Sequence, residues 1–540
     1  MIKLHLSTSY LFLSQENSHQ ILIEKFLKRC YNLNFAKSLD FQLNFGEVME
    51  ERSPKLVATS VKAWLDNPIS RASLKFICGK TENGETRLSL AIKKYLGEYV
   101  PNGSFADKVA CKITKLMIEK GAKAFGVSEK DMKEILKDDI MRRALTNVLE
   151  GIAYYGVRKP QITIAPFLVV WNFTHACNLR CKHCYQDAGS FFADELTTEE
   201  AKRVIDDFYE AGVVAIAFSG GEPLLRKDFF EVAKYASEKG FYLALATNGT
   251  LLTKKIVKRL KETGIEYVEI SLDGFEEEHD NFRGIKGAWR RTCEGIKNCV
   301  EEGIDTCVAT TITKHNYKNI KNLVDFVEKE LKAKRFIAFN FIPTRRGKEI
   351  ITQDIEPEER EELQEFLYSR LIESKCRFFT LSTAPQYARV AMQFGEGPFI
   401  STHFANKSSI EIMKGDAKLL GEFIGGCGAG RLYCGLEPNG DVQPCVFIPI
   451  KIGNVREKSI KEIWNNSIVL KKMRDRDAFI GCGKCEYRYI CGGCRARAYA
   501  YFDDVQAPDP GCINNKKYWE LAKRGEKIKI EVRRKKLFFF

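Results

Sequence analysis

Thr174-His175-Ala176-Cys177-Asn178-Leu179-Arg180-Cys181-Lys182-His183-Cys184-Tyr185 follows directly on the apolar run Leu168–Phe173. The run reads as a buried strand, and the loop behind it spaces three cysteines as C-x3-C-x2-C. Three thiolates from one loop can hold three corners of a cuboidal [4Fe–4S] cluster and leave the fourth iron for a non-protein ligand. Zinc held by three cysteines and a histidine is the alternative, with His175 and His183 nearby. His183 lies between two of the cysteines and would have to fold back to join them.

Downstream, strand and helix alternate. Leu168–Phe173, Val214–Ser219, Phe241–Thr247, Tyr267–Leu272, Thr306–Thr311 and Phe336–Ile342 read as strands. Between them, helical periodicity covers Thr198–Glu210, segments starting at Asp228 and Thr253, Gly287–Glu302 and Tyr317–Leu331, and a further helix runs from Glu356 to Ser374. Such a repeat implies parallel strands with right-handed crossovers. Six units predict an α/β fold, an open, partial (β/α)6 barrel resembling part of a TIM barrel. In barrels of this kind the chemistry lies at the C-terminal strand ends. Distinctive residues fall there: Ser219-Gly220-Gly221-Glu222-Pro223, Thr247-Asn248-Gly249, Ser271-Leu272-Asp273-Gly274 and then His279-Asp280-x-x-Arg283-Gly284. Glycines let backbone approach a ligand closely, and Glu222 can accept hydrogen bonds from an ammonium.

Over roughly residues 162–382 these motifs, in this order, resemble the radical S-adenosylmethionine (SAM) superfamily. The resemblance implies SAM as a cofactor, chelating the open iron of the cluster held by Cys177, Cys181 and Cys184. It implies that Gly220, Gly221 and Glu222 hold the methionine amino group and that Ser271 and Arg283 hold the carboxylate. Asn248 would lie near the ribose or methionyl part and Tyr185 near the adenine. Asn248 and Asp273 also have a simpler reading as turn formers. The implied activity is reductive cleavage of SAM to a 5′-deoxyadenosyl radical, which abstracts hydrogen from a substrate; no catalytic acid or base is apparent.

A second cysteine-rich stretch reads Cys427-x6-Cys434-x10-Cys445, then Cys482-x2-Cys485-x5-Cys491-x2-Cys494, then Cys512. Eight thiolates suffice for two complete four-cysteine sites, with zinc ribbons as the alternative. Pro438-Asn439-Gly440-Asp441 carries the Asn-Gly pair of a tight hairpin. With Ile452-Gly453-Asn454-Val455 and Ile463-Trp464 behind it, the stretch is similar to the SPASM auxiliary-cluster domain. That family's interleaved ligation would assign Cys427, Cys434, Cys445 and Cys494 to one [4Fe–4S] cluster and Cys482, Cys485, Cys491 and Cys512 to another. Cys491 and Cys494 are two residues apart where three is common in the family. Ligation by four cysteines leaves neither auxiliary iron open and favours electron transfer over substrate binding.

The organisation expected is an N-terminal extension (1–48), a helical domain (49–160), the barrel (162–382), a linker and cysteine-rich module (383–515) and a basic tail (516–540). The helical domain shows apolar spacing over Phe105–Phe125 and Ser128–Tyr154, with Ser128 as an N-cap. It lacks a winged-helix pattern for a leader peptide. Gly46-Glu47-Val48-Met49 suggests Met49 as an alternative start. Cys30, Cys78, Cys111, Cys293, Cys299, Cys307 and Cys376 read as ordinary thiols.

At 540 residues, 44% apolar and 29% charged, the chain is long enough for three or four domains at ~100–200 residues each. No apolar run approaches the ~18–20 residues that cross a bilayer, and no secretory signal is evident. Eighteen cysteines without such a signal point to reduced, metal-binding thiols in the cytoplasm. The net charge of +14 reads mainly as solvated surface, which disfavours a nucleic-acid partner. Family members of this architecture modify peptides or cofactor precursors such as tetrapyrroles, and a small redox protein would donate electrons. Sulfatase-maturing members place aspartate after the third auxiliary cysteine, where Val446 stands. Two non-enzymatic readings compete: a multi-cluster electron carrier, which the SAM-pocket motifs disfavour, and a zinc-bearing nucleic-acid binder.

Overall fold

The computed structural model describes residues 65–82, 84–99, 103–124, 128–394 and 421–528. The extension 1–48, Cys30, the start at Met49, residues 395–420 of the linker and residues 529–540 of the basic tail lie outside the described residues. The chain divides into two compact units, Met1–Asp138 and Asp139–Phe540.

In the first unit four helices are described: Pro68–Cys78, Arg87–Tyr95, Phe105–Ala124 and Glu129–Lys137. Three begin on capping side chains, because Asn67, Thr86 and Ser128 each accept a backbone N–H of the first turn. The helical stretch from Ser128 to Tyr154 breaks at Asp138, which takes an extended conformation (φ −72°, ψ 120°). The next helix, Asp139–Tyr155, belongs to the second unit. There its buried Asn147 donates to the carbonyls of Ala165 and Gly212 (both 3.1 Å) and accepts from the N–H groups of Ile164 and Ala165.

The second unit is built on one ten-stranded sheet. Its strands are β1 (Leu168–Thr174), β2 (Ala215–Gly220), β3 (Tyr242–Thr247), β4 (Ile265–Ser271), β5 (Asp305–Ile312), β6 (Arg335–Asn340), β7 (Phe379–Ser382), β8 (Tyr433–Leu436), β9 (Asp441–Gln443) and β10 (Gly453–Asn454). The order is β10-β9-β8-β1-β2-β3-β4-β5-β6-β7, and the sheet does not close. β1 to β7 pair in parallel, as the strand–helix alternation requires. Two features extend the six-stranded expectation. The four-residue β7 adds a seventh parallel strand, and β8 pairs in parallel with the free edge of β1. Both strands are too short to show a period in sequence. The hairpin forms as its turn residues dictate: Gly440 sits at φ +84° and β8 pairs antiparallel with β9.

The crossover helices form because their apolar residues fall on one face. In Thr198–Ala211, Ala201, Val204, Ile205, Phe208 and Ala211 are buried, and Thr197 and Glu200 close a capping box. Outward side chains of the strands meet these helices in an aromatic layer, where Trp171 packs edge-on to Phe173 (5.2 Å) and Phe208 (6.2 Å). Inward side chains are small at several positions, including Ala217, Ser219, Ala244, Ala246 and Ala309. They leave a cavity of about 300 Å³ inside the open barrel.

Candidate active site

The cysteine loop leaves β1 at the C-terminal edge of the sheet and is held from several sides. The Cys177 N–H donates to the Gly189 carbonyl (3.0 Å), and the Arg180 and Lys182 N–H groups donate to the carbonyls of Arg283 and Phe282. From outside, Arg346 donates to the carbonyls of Cys181 (3.2 Å) and Ala188 (3.0 Å). Each sulfur of the loop accepts one donor: the Leu179 N–H on Cys177 and the Ala188 N–H on Cys184, both at 3.4 Å, and Arg283 Nη1 on Cys181 at 3.7 Å. Burial, then Glu222 and the other two thiols, pushes Cys177 up to about 12, so a cationic metal centre is needed to keep it a thiolate.

The donor set fits an iron–sulfur cluster better than zinc. All three thiols line the cavity. Among the described residues, no three metal-ligating side chains could hold a single ion. Both ring nitrogens of His175 are bonded to backbone carbonyls, of Ser190 and Gln186. His183 stacks on Phe282 at 4.2 Å, and burial, ahead of its charged neighbours, pushes its pKa down to about 3.

Next to the loop, the Gly220–Gly221 pair is packed against it. A β-carbon on Gly221 would lie 2.1 Å from the Ala176 carbonyl oxygen, and one on Gly220 would lie 2.5 Å from that of Thr174. The N–H groups of Gly221 and Glu222 donate to the carbonyls of Thr174 and Ala176 respectively. Close approach to the cysteine loop is therefore what excludes side chains here. Glu222 lies fully buried behind this pair and is not part of the cavity wall. Its carboxylate accepts from Thr247 Oγ1 (2.8 Å), the Asn248 N–H (2.9 Å) and the Leu224 N–H (3.3 Å), tying the end of β2 to the end of β3. Burial pushes its pKa up to about 7 against these hydrogen bonds.

Asn248, Ser271, Arg283 and Tyr185 reach the same cavity. The Asn248 amide is engaged, donating to Asn178 (2.8 Å) and accepting from the Thr250 N–H (2.9 Å). Arg283 is anchored on the fully buried Asp273 at 2.6 Å. Tyr185 lies between Asn172 and Ser219 through its hydroxyl, with its ring 4.8 Å from Phe447.

The C-terminal thiols fall into separate places. Cys427, Cys445 and Cys494 also line the cavity. Tyr433 Oη is 3.0 Å from Cys445 Sγ, and the Arg497 N–H donates to Cys494 Sγ at 3.4 Å. Cys482, Cys491 and Cys512 form a second buried group: after burial, Cys512 and Cys482 push the Cys491 thiol up, and burial, then Asp509 and Cys482, push up that of Cys512. Cys482 accepts from Asn515 Nδ2 at 3.4 Å, and half-buried Cys485 follows it across one turn. Cys434 joins neither group. It lies in β8, fully buried, and is not among the residues that line the cavity.

One residue of the cavity was not anticipated. Glu269 sits in β4 in phase with Tyr267 and Ser271, all three lining the cavity. An acid in that alternation was the available signal. Burial pushes its carboxyl up to about 7. A folded-state pKa above the unfolded ~4.3 weakens folding as pH rises between the two values. Glu269→Gln is therefore expected to raise the thermal midpoint at pH 8 relative to the native chain, with the gain vanishing towards pH 4. A gain that grows on acidification would contradict this.

Residues 171–328 match the radical SAM superfamily, and residues 427–494 match SPASM, an iron–sulfur cluster-binding domain. The chain belongs to the radical SAM superfamily: it is a SAM-dependent iron–sulfur enzyme. It is 39% identical over 357 residues to the AdoMet-dependent heme synthase of Methanosarcina barkeri (strain Fusaro / DSM 804), covering 65% of this chain and 97% of that protein. It is 35% identical to the Fe-coproporphyrin III synthase of the same organism, covering 65% and 88%. Among solved structures, Streptococcus suis SuiB bound to its precursor peptide SuiA shares the fold, with a TM-score of 0.56 and 18% identity over 79% of this chain and 92% of SuiB. Among the described residues no helix is long and apolar enough to cross a membrane.

Proposed function

We propose that this enzyme acts on an iron-bearing tetrapyrrole precursor with carboxylate side chains, in the cytoplasm, and takes electrons from a small redox protein. The observation that carries the reading is the cavity itself. Two sets of thiols, Cys177, Cys181 and Cys184 and then Cys427, Cys445 and Cys494, line one cavity, and Phe339, Phe341, Tyr387 and Phe447 add aromatic faces to it. A flat, largely apolar macrocycle suits such walls better than a polar peptide backbone, whose N–H and C=O groups would each need a partner. The two M. barkeri relatives, a heme synthase and an Fe-coproporphyrin III synthase, support the same class.

Bound SAM and its cluster supply a 5′-deoxyadenosyl radical, the hydrogen-abstracting species of the superfamily. The chain's own residues bind and orient. Cys177, Cys181 and Cys184 hold the cluster, and Arg283, fixed by Asp273, offers its guanidinium with Ser271 to the SAM carboxylate. Gly220 and Gly221 form the edge facing the SAM ammonium. Glu222 acts from behind them by positioning Thr247 and Asn248. Tyr185 closes the adenine side. Enclosure matters because a primary carbon radical attacks any C–H bond within reach, so alignment must select one. The C-terminal thiols hold two auxiliary clusters.

The test uses anaerobically prepared holoprotein. Iron coproporphyrin III should shift its absorption maximum on titration with the protein. With SAM and dithionite it should raise the 5′-deoxyadenosine yield at least tenfold. A yield unchanged by the porphyrin but raised by a cysteine-rich peptide transfers the enzyme to the peptide-modifying class.

A further inference from the structure

Cys434 has the sequence position of an auxiliary-cluster ligand but the wrong side of its strand. β8 and β1 run in parallel with Leu168 opposite Tyr433, Val169 opposite Cys434, Val170 opposite Gly435 and Trp171 opposite Leu436. Residues paired in register point to the same face, and successive residues point to opposite faces. Leu168 and Val170 line the cavity, whereas Trp171 packs outward against Phe208. Tyr433 accordingly faces inward and brings its hydroxyl to Cys445 Sγ at 3.0 Å. A β-carbon on Gly435 would meet Val446, another cavity residue, at 3.2 Å. Cys434, between them, points outward with Val169 into the helix layer and is fully buried there. A cysteine side chain is too short to cross the sheet.

The remaining members of that set, Cys427, Cys445 and Cys494, all stand in the cavity wall. We infer that the first auxiliary cluster is held by three thiolates, Cys427, Cys445 and Cys494, and that its fourth iron faces the substrate cavity, open to an anionic donor atom. This rests on the iron–sulfur reading of the C-terminal module and not on the identity of the substrate. It changes what the module can do. A fully capped cluster can only pass electrons, whereas an open iron in this wall is a Lewis acid that can ligate a substrate in the cavity shared with the SAM site.

The test starts from the full chain carrying C177A/C181A/C184A, so that only the C-terminal clusters remain after anaerobic reconstitution. About eight irons per chain are expected, four for each cluster. Adding Cys434→Ala should leave iron content and the reduced EPR spectrum unchanged, whereas adding Cys445→Ala should remove about four irons. Carbon-13 cyanide is the probe for the open iron, read by ENDOR on the reduced protein with Cys434 intact. A carbon-13 hyperfine coupling supports the open corner and does not depend on how the Cys434 variant folds. Loss of about four irons in the Cys434→Ala protein, or no carbon-13 coupling, overturns the inference. A parent variant holding no iron at all refutes the cluster reading of the module itself.

Discussion

Cys181→Ala is expected to abolish SAM cleavage while leaving the C-terminal iron in place. Cys181 is buried at the floor of the site, where its sulfur takes a hydrogen bond from Arg283 and its carbonyl takes one from Arg346. Removing it leaves two thiols for a cluster that needs three from this loop, and about four irons per chain should be lost. The loop itself should persist, because the backbone bonds to Gly189, Phe282 and Arg283 do not involve the thiol. The C-terminal cysteines use other donors, Arg497, Gly493 and Asn515, and should keep their iron. Iron analysis with chromatography of 5′-deoxyadenosine checks both halves. An undiminished nucleoside yield would overturn the assignment of the site.

Asp273→Ala should produce the largest stability loss of any single carboxylate replacement around the SAM site. Asp273 and Arg283 form a 2.6 Å pair with side chains 0% and 9% exposed, and Asp273 also accepts the Thr311 N–H at 2.7 Å. Deleting one partner of such a buried pair leaves the other charge uncompensated, a penalty of about 3–5 kcal/mol. By contrast, the Arg290–Glu276 pair, of similar length, is 74% and 44% exposed, and Glu276→Ala should cost less than ~1 kcal/mol. Asp273→Asn, which keeps one of the two oxygen acceptors that Thr311 and Arg283 use, should recover part of the loss. Although burial opposes ionisation, the Arg283 guanidinium holds Asp273 below the usual carboxylate range. Its contribution is accordingly present above the unfolded ~3.9 and lost as pH falls below it. Denaturant melts of the anaerobic protein measure all three variants. Equal losses for Asp273→Ala and Glu276→Ala would show that the buried pair has no special weight. Because the same aspartate fixes Arg283 beside Cys181, SAM affinity should fall along with stability.

Much of this site could be read from local spacing. A C-x3-C-x2-C loop keeps three thiols close whatever surrounds it, because so short a span of chain cannot separate them far. Helices such as Thr198–Ala211 follow from an apolar face repeating at three and four, and the Asn439-Gly440 turn follows from one positive φ. Parallel strands follow from the alternation itself. These features depend on residues within about a dozen positions of one another, and local sterics decide them.

Other assignments depend on which segments meet. Whether Cys434 faces a cluster or the helix layer is settled by its register with Val169, far earlier in the chain, since a slip of one residue would turn it inward. The binding of Glu222 to Thr247 and Asn248, rather than to the cavity, arises only when β2 and β3 lie side by side. Glu269 becomes a cavity residue for the same reason, since its inward phase acquires meaning only once the barrel curves around it. Covalent spacing limits which donors are available. Long-range pairing of strands then selects which of them share a wall, because a strand's two faces are equivalent until another strand fixes the register.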